Sequence, residues 1–250
     1  MTNVNFYNKI DKVFWHIYML AYPKVVRKLL PRQLLFKVIL DKLEVKDGYR
    51  YLDAGCGFGE LCTLIQKKGG IAVGIDRSKK VLEGATKLNP DVKFKVVDLN
   101  KEQELDFNST FNGIVSVNTL YLIDTFKEVN GRKIPITLFY FNDWLKKGGR
   151  LVIVIPLANY SQLRKFVDHF KLSVKKSGYI LTFLQMVIYF PLILIVVLMN
   201  IYVKFKGSKG HYFFYTPDDF ELMIKSVGFK IISNTLCYSD QNVMIVAEKL

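Results

Sequence analysis

The sequence predicts an α/β domain, a mostly parallel sheet with helices on both faces, and three observations point there. From Tyr49 onward, short runs rich in β-branched and aromatic residues alternate with helical stretches, the pattern of βαβ units. Four of those runs end on a polar residue at the carboxyl end of the strand. A glycine-rich turn joins the first run to its helix. Half of the 250 residues are hydrophobic, which excludes a disordered chain and supplies a core.

The predicted strands are Tyr49–Ala54, Ile71–Ile75, Val92–Val97, Phe111–Val117 and Arg150–Ile155, with helices near 59–68 and 78–88. Residues 124–147 contain Gly131 and Pro135 and read as a broken helix, or a helix plus loop. Thr216-Pro217-Asp218-Asp219 has an N-cap residue, a proline at the first helical position and acids in the first turn, so it starts a helix running to Val227. Two further strands, Phe229–Leu236 and Val243–Ala247, flank a turn at Ser239–Asn242. This closing hairpin is where an antiparallel strand is expected.

Two other segments differ in character. In residues 1–48, Phe6, Ile10, Val13, Phe14, Ile17 and Ala21 recur at helical spacing. A second helical stretch begins at Pro23 and is broken or kinked at Pro31. Residues 157–215 interrupt the sheet between its fifth strand and its last helix. The chain therefore divides into an amphipathic segment (1–48), an α/β domain (49–156 and 216–250) and an insertion (157–215).

The net charge of +14 is concentrated in those two segments. Residues 1–48 hold nine Lys/Arg against four Asp/Glu, and residues 157–215 hold eight against one. Localised positive charge implies an anionic partner, either nucleic acid or a membrane face. Cys56, Cys62 and Cys237 have no spacing typical of a disulfide framework or a metal site, so no metal is expected. The first twenty residues lack the pattern of a signal peptide. A reducing, cytoplasmic setting is the expectation.

The chemistry is carried by Leu52-Asp53-Ala54-Gly55-Cys56-Gly57-Phe58-Gly59. Gly55, Gly57 and Gly59 allow a tight turn and close approach of a ligand at a helix N-terminus, and Cys56 lends its backbone. Dinucleotide enzymes use GxGxxG; here the spacing is GxGxG with an acid two residues before it. Asp53 would repel a pyrophosphate and suits a cofactor bearing an ammonium group. Asp76 ends the second strand, where it can accept both hydroxyls of a ribose. Asp98-Leu99 ends the third, placed for an adenine amino group. Asn118 ends the fourth and opens on the same crevice.

The runs YLDAGCGFGELCTLIQKKG, VGID, VVDL, SVNTLYLID and WLKKGGRLVIVIP, in that order, resemble the motifs of the class I S-adenosylmethionine-dependent methyltransferases. The resemblance implies a Rossmann-like, seven-stranded sheet in the order 3-2-1-4-5-7-6 with the seventh strand antiparallel. It implies S-adenosyl-L-methionine as cofactor and S-adenosyl-L-homocysteine as product. The loop Gly55–Gly59 with Asp53 would surround the methionine moiety, Asp76 with the adjoining Arg77 the ribose, and Asp98 with Leu99 the adenine. Asn118 would lie near the transferred methyl. Tyr121, His211 and Tyr212 are candidates for substrate contact, since 210–215 returns the chain to the crevice. Methyl transfer from a sulfonium needs in-line positioning in a dry site, and no catalytic triad is expected.

Residues 179–203 contain no charged side chain and could span a bilayer by length. A single crossing would split the α/β domain across the membrane. The expected form is therefore two short helices broken at Pro191 that dip in and return, with lysines on both flanks. The alternative is a lid or a homodimer interface. The function read from these features is methyl transfer to a lipid or other hydrophobic acceptor by a peripheral or monotopic enzyme on the inner face of an anionic membrane. Nucleic-acid or soluble small-molecule methylation is one rival; a non-catalytic, cofactor-binding membrane scaffold is the other. Nucleic acid is disfavoured because the basic residues flank apolar runs and no NPPY-like motif stands at Val117-Asn118-Thr119-Leu120.

Overall fold

The computed structural model describes residues 13, 17, 21, 24–101, 105 and 107–250. Most of the expected helix over 5–21 lies outside them. The strands are apolar on both faces because helices cover both. Alternate side chains go to opposite layers. In β1 (Arg50–Ala54), Leu52 enters one core and Tyr51 the other. In β7 (Leu145–Pro156), Leu151 and Ile153 face the first core, Val152 and Val154 the second.

The other strands of the sheet are β2 (Ile71–Asp76), β3 (Lys93–Val96), β4 (Phe111–Val117), β8 (Phe229–Cys237) and β9 (Asn242–Lys249). Their order is β3-β2-β1-β4-β7-β9-β8. β3 through β7 are parallel neighbours, and β9 is antiparallel to both β7 and β8. This numbering departs from the expected 3-2-1-4-5-7-6 because two strands, β5 (Phe126–Val129) and β6 (Arg132–Pro135), form a separate hairpin. With only the sheet's own strands counted in chain order, the two sequences coincide.

One face is covered by α1 (Leu30–Lys42), α2 (Glu60–Lys67) and α3 (Lys79–Leu88), which contribute Leu35, Ile39, Leu61, Ile65, Leu82 and Ala85 to the core. The other is covered by α4 (Ile136–Trp144) and α7 (Pro217–Ser226), through Leu138, Phe141, Trp144, Phe220 and Ile224. Thr216 caps α7, its hydroxyl accepting from the Asp219 amide at 3.2 Å. The insertion forms α5 (Gln162–Ser177) and α6 (Tyr179–Ser208). Phe166 of α5 and Val196 of α6 pack with Ala21, Val25, Val26 and Leu29, so the insertion and the N-terminal segment share one small core.

Two expectations are corrected, and at Pro31 one of two alternatives holds. Residues 126–135 are a β-hairpin and not helix, because Asn130-Gly131 is the two-residue turn that adjacent twisted strands favour. Both residues have positive φ, 51° and 73°. At Pro31 the kink is absent and the break is present: a short 3-10 turn (Val26–Lys28) precedes α1, and the proline lies in the first turn of α1, where a missing N–H is harmless. Pro191 does not break the apolar run. α6 is continuous through it for 30 residues, giving up the one bond its nitrogen cannot make, and the chain reverses at Gly178 instead, between α5 and α6.

A side chain at Gly131 would meet nothing within 4 Å, so substitution there tests backbone conformation alone. Gly131→Ala is expected to lower unfolding free energy by about 1–2 kcal/mol, measured by urea denaturation, with cofactor affinity unchanged.

Candidate cofactor site

The parallel register brings the carboxyl ends of β1 to β4 to one edge of the sheet. At the end of β1 the chain leaves the sheet abruptly. The amides of Gly55 and Cys56 both donate to the Ile75 carbonyl, at 2.8 and 2.9 Å. The Gly57 amide donates to Asp76 Oδ2 at 3.1 Å, and the Ser78 amide to Asp76 Oδ1 at 2.9 Å. The carboxylate of β2 thus holds the loop of β1, and the Arg77 backbone bonds it as well. Burial raises the Asp76 carboxyl above its ordinary value, opposed by those amides.

Gly55 is fixed by its neighbour: a Cβ there would fall 2.0 Å from Thr119 Oγ1 in the loop after β4. At Gly57, by contrast, a Cβ would meet nothing within 4 Å, so the middle of the loop faces open space. Asp53 sits below it, 4% exposed. Its carboxylate accepts a weak bond from Cys62 Sγ at 3.7 Å, and burial raises its pKa to about 7. A desolvated carboxylate beneath an open loop of amides suits a ligand carrying an ammonium group, which would restore the ionised form. The residues therefore fit the methionine end of S-adenosylmethionine.

The remaining predicted residues divide. Asp98 caps its own turn, Oδ1 accepting from the Asn100 amide at 3.2 Å. Leu99 is buried in the core, and its carbonyl accepts from Thr137 Oγ1. Arg77 is exposed at the margin of the crevice. Asn118 has φ 55° and its amide donates to the Val154 carbonyl at 2.8 Å. Tyr121 and Tyr212 come together edge to face at 5.7 Å, Tyr121 stacks on Phe214 at 5.6 Å, and the Phe213 amide donates to the Tyr121 carbonyl. His211 is exposed just before Tyr212, its amide donating to the Lys206 carbonyl at 3.0 Å.

Several residues at this edge escaped sequence reasoning. Asn242, fully buried at the start of β9, donates through Nδ2 to Asn118 Oδ1 at 2.7 Å; its place in a predicted turn hid it. Glu60, the first residue of α2, is held by Arg27 at 2.7 Å and Arg32 at 3.1 Å. Arg32 also bonds Tyr238, and Tyr238 covers Lys165, whose Nζ lies 4.0 Å from the ring centroid. Lys165 also faces Tyr160 at 5.4 Å. Only long-range packing places these groups together, and no spacing in the sequence announces it.

The sequence profile of the methyltransferase domain family matches residues 14–234, most of the chain. This chain belongs to that family. Its cofactor is S-adenosyl-L-methionine, and it is an enzyme. Phosphoethanolamine N-methyltransferase 3 of Arabidopsis thaliana is 31% identical over 149 residues, 57% of this chain and 28% of that protein. Putative methyltransferase 235L of Invertebrate iridescent virus 6 is 26% identical over 143 residues, 54% of this chain and 50% of that one. The chain thus spans between about a quarter and a half of these curated relatives. Among solved structures, a SAM-dependent methyltransferase from Aquifex aeolicus superposes with a TM-score of 0.59 at 15% identity, covering 95% of this chain and 98% of that one. The 1,6-didemethyltoxoflavin-N1-methyltransferase of Burkholderia thailandensis, with bound S-adenosylhomocysteine, gives 0.58 at 12% identity, covering 100% and 91%. At such identities these structures speak for the shared fold.

Lys165 is 3% exposed, and burial lowers its pKa from 10.5 to about 7. Between those values unfolding takes up a proton, so the cost of burying the ammonium falls as pH rises across that window. Lys165→Met is expected to raise the melting temperature most below pH 7 and progressively less up to pH 10.5, measured by calorimetry across that range.

Proposed function

We propose that this enzyme transfers a methyl group from S-adenosylmethionine to a lipid or lipid-like acceptor at an anionic, cytoplasm-facing membrane surface. The observation that carries the reading is α6. Ile180, Leu184, Val187, Pro191, Leu194, Leu198, Ile201 and Phe205 follow at alternating steps of four and three, and all are exposed. Only 11% of the helix's most apolar window is buried, unlike the core helix of a soluble domain.

The helix is about 45 Å long, yet a simple crossing does not suit it. Its second half packs on the domain through Val196, Met199 and Val203. The more exposed half, residues 179–191, is touched on one side by Phe170 and Lys28 and measures about 20 Å against a hydrocarbon core near 30 Å. A helix lying along the interface fits better, with Lys175, Lys176, Lys204 and Lys209 at headgroup level. The same four-and-three spacing would serve a coiled-coil dimer, but such seams carry flanking charges, and residues 179–203 have none. Met199 and Val203 cluster with Tyr121, Tyr212 and Phe214, so the exposed helix joins the aromatic row that follows Asn118. An apolar acceptor could pass from the interface along that row.

In the crevice, Asp53 would hold the cofactor's ammonium, the amides of the Gly55–Gly59 loop its carboxylate, Asp76 the ribose hydroxyls, and Asp98 the adenine edge. The bound cofactor supplies an electrophilic methyl on sulfur. Asn118, fixed by Asn242, would orient the acceptor atom. The two phosphoethanolamine N-methyltransferases among the relatives favour an amine-bearing acceptor such as a phospholipid amine over a quinone ring or another isoprenoid.

The direct test is incubation with labelled S-adenosylmethionine and a total lipid extract, followed by chromatography; a labelled lipid is expected, and label confined to water-soluble products would sink the acceptor class. Cofactor affinity should fall as pH drops through about 7, where Asp53 takes up a proton; titration calorimetry should find that dependence absent in Asp53→Asn. Asp76→Ala should weaken binding by about 1–3 kcal/mol. The protein should also sediment with anionic liposomes in a salt-sensitive manner, and Ile180→Glu with Leu184→Glu should leave it in the supernatant with cofactor binding intact. A wild-type protein that ignores every liposome composition contradicts the membrane reading.

A further inference from the structure

The face of α1 that turns away from the core opens on a second cavity. Leu35, Phe36 and Ile39 fill the core, whereas Leu34 and Val38, one turn apart, remain exposed. Opposite them stand Leu172 of α5 and Leu236 near the end of β8, and these walls bound a cleft of about 470 Å³. That volume is within the range of small-molecule sites. β8 is an edge strand, and a bare leucine beside unpaired strand backbone invites association; Leu236 is 58% exposed.

The rim gives the cleft its chemistry. Lys171 and Lys175 line it one helical turn apart on α5, against a single acid, Asp168. Among the described residues neither lysine takes part in a salt bridge. An apolar trough edged by two free cations selects an amphiphile, whose tail leaves water while its anionic head stays at the mouth.

We propose that this cleft binds one acyl chain of an anionic phospholipid, with Lys171 and Lys175 at its phosphate. The ligand is an accessory lipid in a site distinct from the cofactor crevice. The proposal goes beyond methyl transfer at a membrane and stands or falls separately from it.

The test uses the full chain without detergent. A dansylated fatty acid reports saturable binding by fluorescence, and palmitoyl lysophosphatidylglycerol and lysophosphatidylcholine, both below their micelle concentrations, compete for it. The anionic lipid should displace the probe roughly tenfold better than the net-neutral one, the effect of two nearby cations. Val38→Trp with Leu236→Trp, which fills the trough, should abolish binding, and Lys171→Gln with Lys175→Gln should erase the anionic preference. Ile180→Glu with Leu184→Glu, on α6, should bind as the wild type does. S-adenosylhomocysteine binding, measured by calorimetry, verifies the fold of each variant. The site is overturned if the filled variant binds as well as wild type, if only the α6 variant loses binding, or if a folded wild type shows no saturable binding. Labelled lipid formation is scored in parallel, so an absent methylated product bears on the acceptor and a failed displacement bears on the cleft.

Discussion

The crevice depends on how one strand ends. Two successive amides after β1, those of Gly55 and Cys56, converge on the carbonyl of Ile75, and a third, that of Gly57, is taken by Asp76. Those bonds turn the chain out of the sheet, start α2 at Glu60 and leave the loop open to a ligand. Among the described residues Asp53 is buried without a salt bridge, with the Arg32 charge acting only from a distance. The turn needs a small residue against Thr119, and the acid below it is desolvated by the strands on either side. Ser116 completes the edge by donating to the Ala54 carbonyl at 2.9 Å, locking β4 to β1. Binding energy in such a site comes from groups held in place before the ligand arrives.

A second line of contacts joins parts of the chain that differ in composition. Glu60, where the cofactor loop becomes helix, takes two arginines from the N-terminal segment. Arg32 carries the connection to Tyr238, and Tyr238 to Lys165 of the insertion. The segments that looked foreign to the α/β domain are thus bonded to the helix that opens its crevice. A charge as poorly solvated as Lys165 is destabilising where it stands.

Much of this was legible in the sequence because it is local. Short runs rich in β-branched and aromatic residues between helical stretches announced the strands, and one glycine loop with polar residues at successive strand ends announced the cofactor line. The misreadings occurred where a local rule had two outcomes. Gly131 and Pro135 read as interruptions of a helix, although Asn130-Gly131 between FKEV and RKIP is also a hairpin signal. Pro191 reads as a break, although an apolar helix can absorb the loss of one hydrogen bond. Asn242, Arg32 and Lys165 were beyond reach for a different reason: each meets its partner only after strands and helices far apart in the chain have packed.

The place of β9 has a consequence for how the molecule is made. It lies between β7 and β8, so it joins the edge strand to the rest of the sheet although it is translated after both. Until residues 242–249 emerge from the ribosome, β8 has nothing to pair with and β7 shows a naked apolar edge, while α5 and α6 have already been synthesised. The nascent chain therefore exposes its greasiest helix and an unpaired strand at the same time.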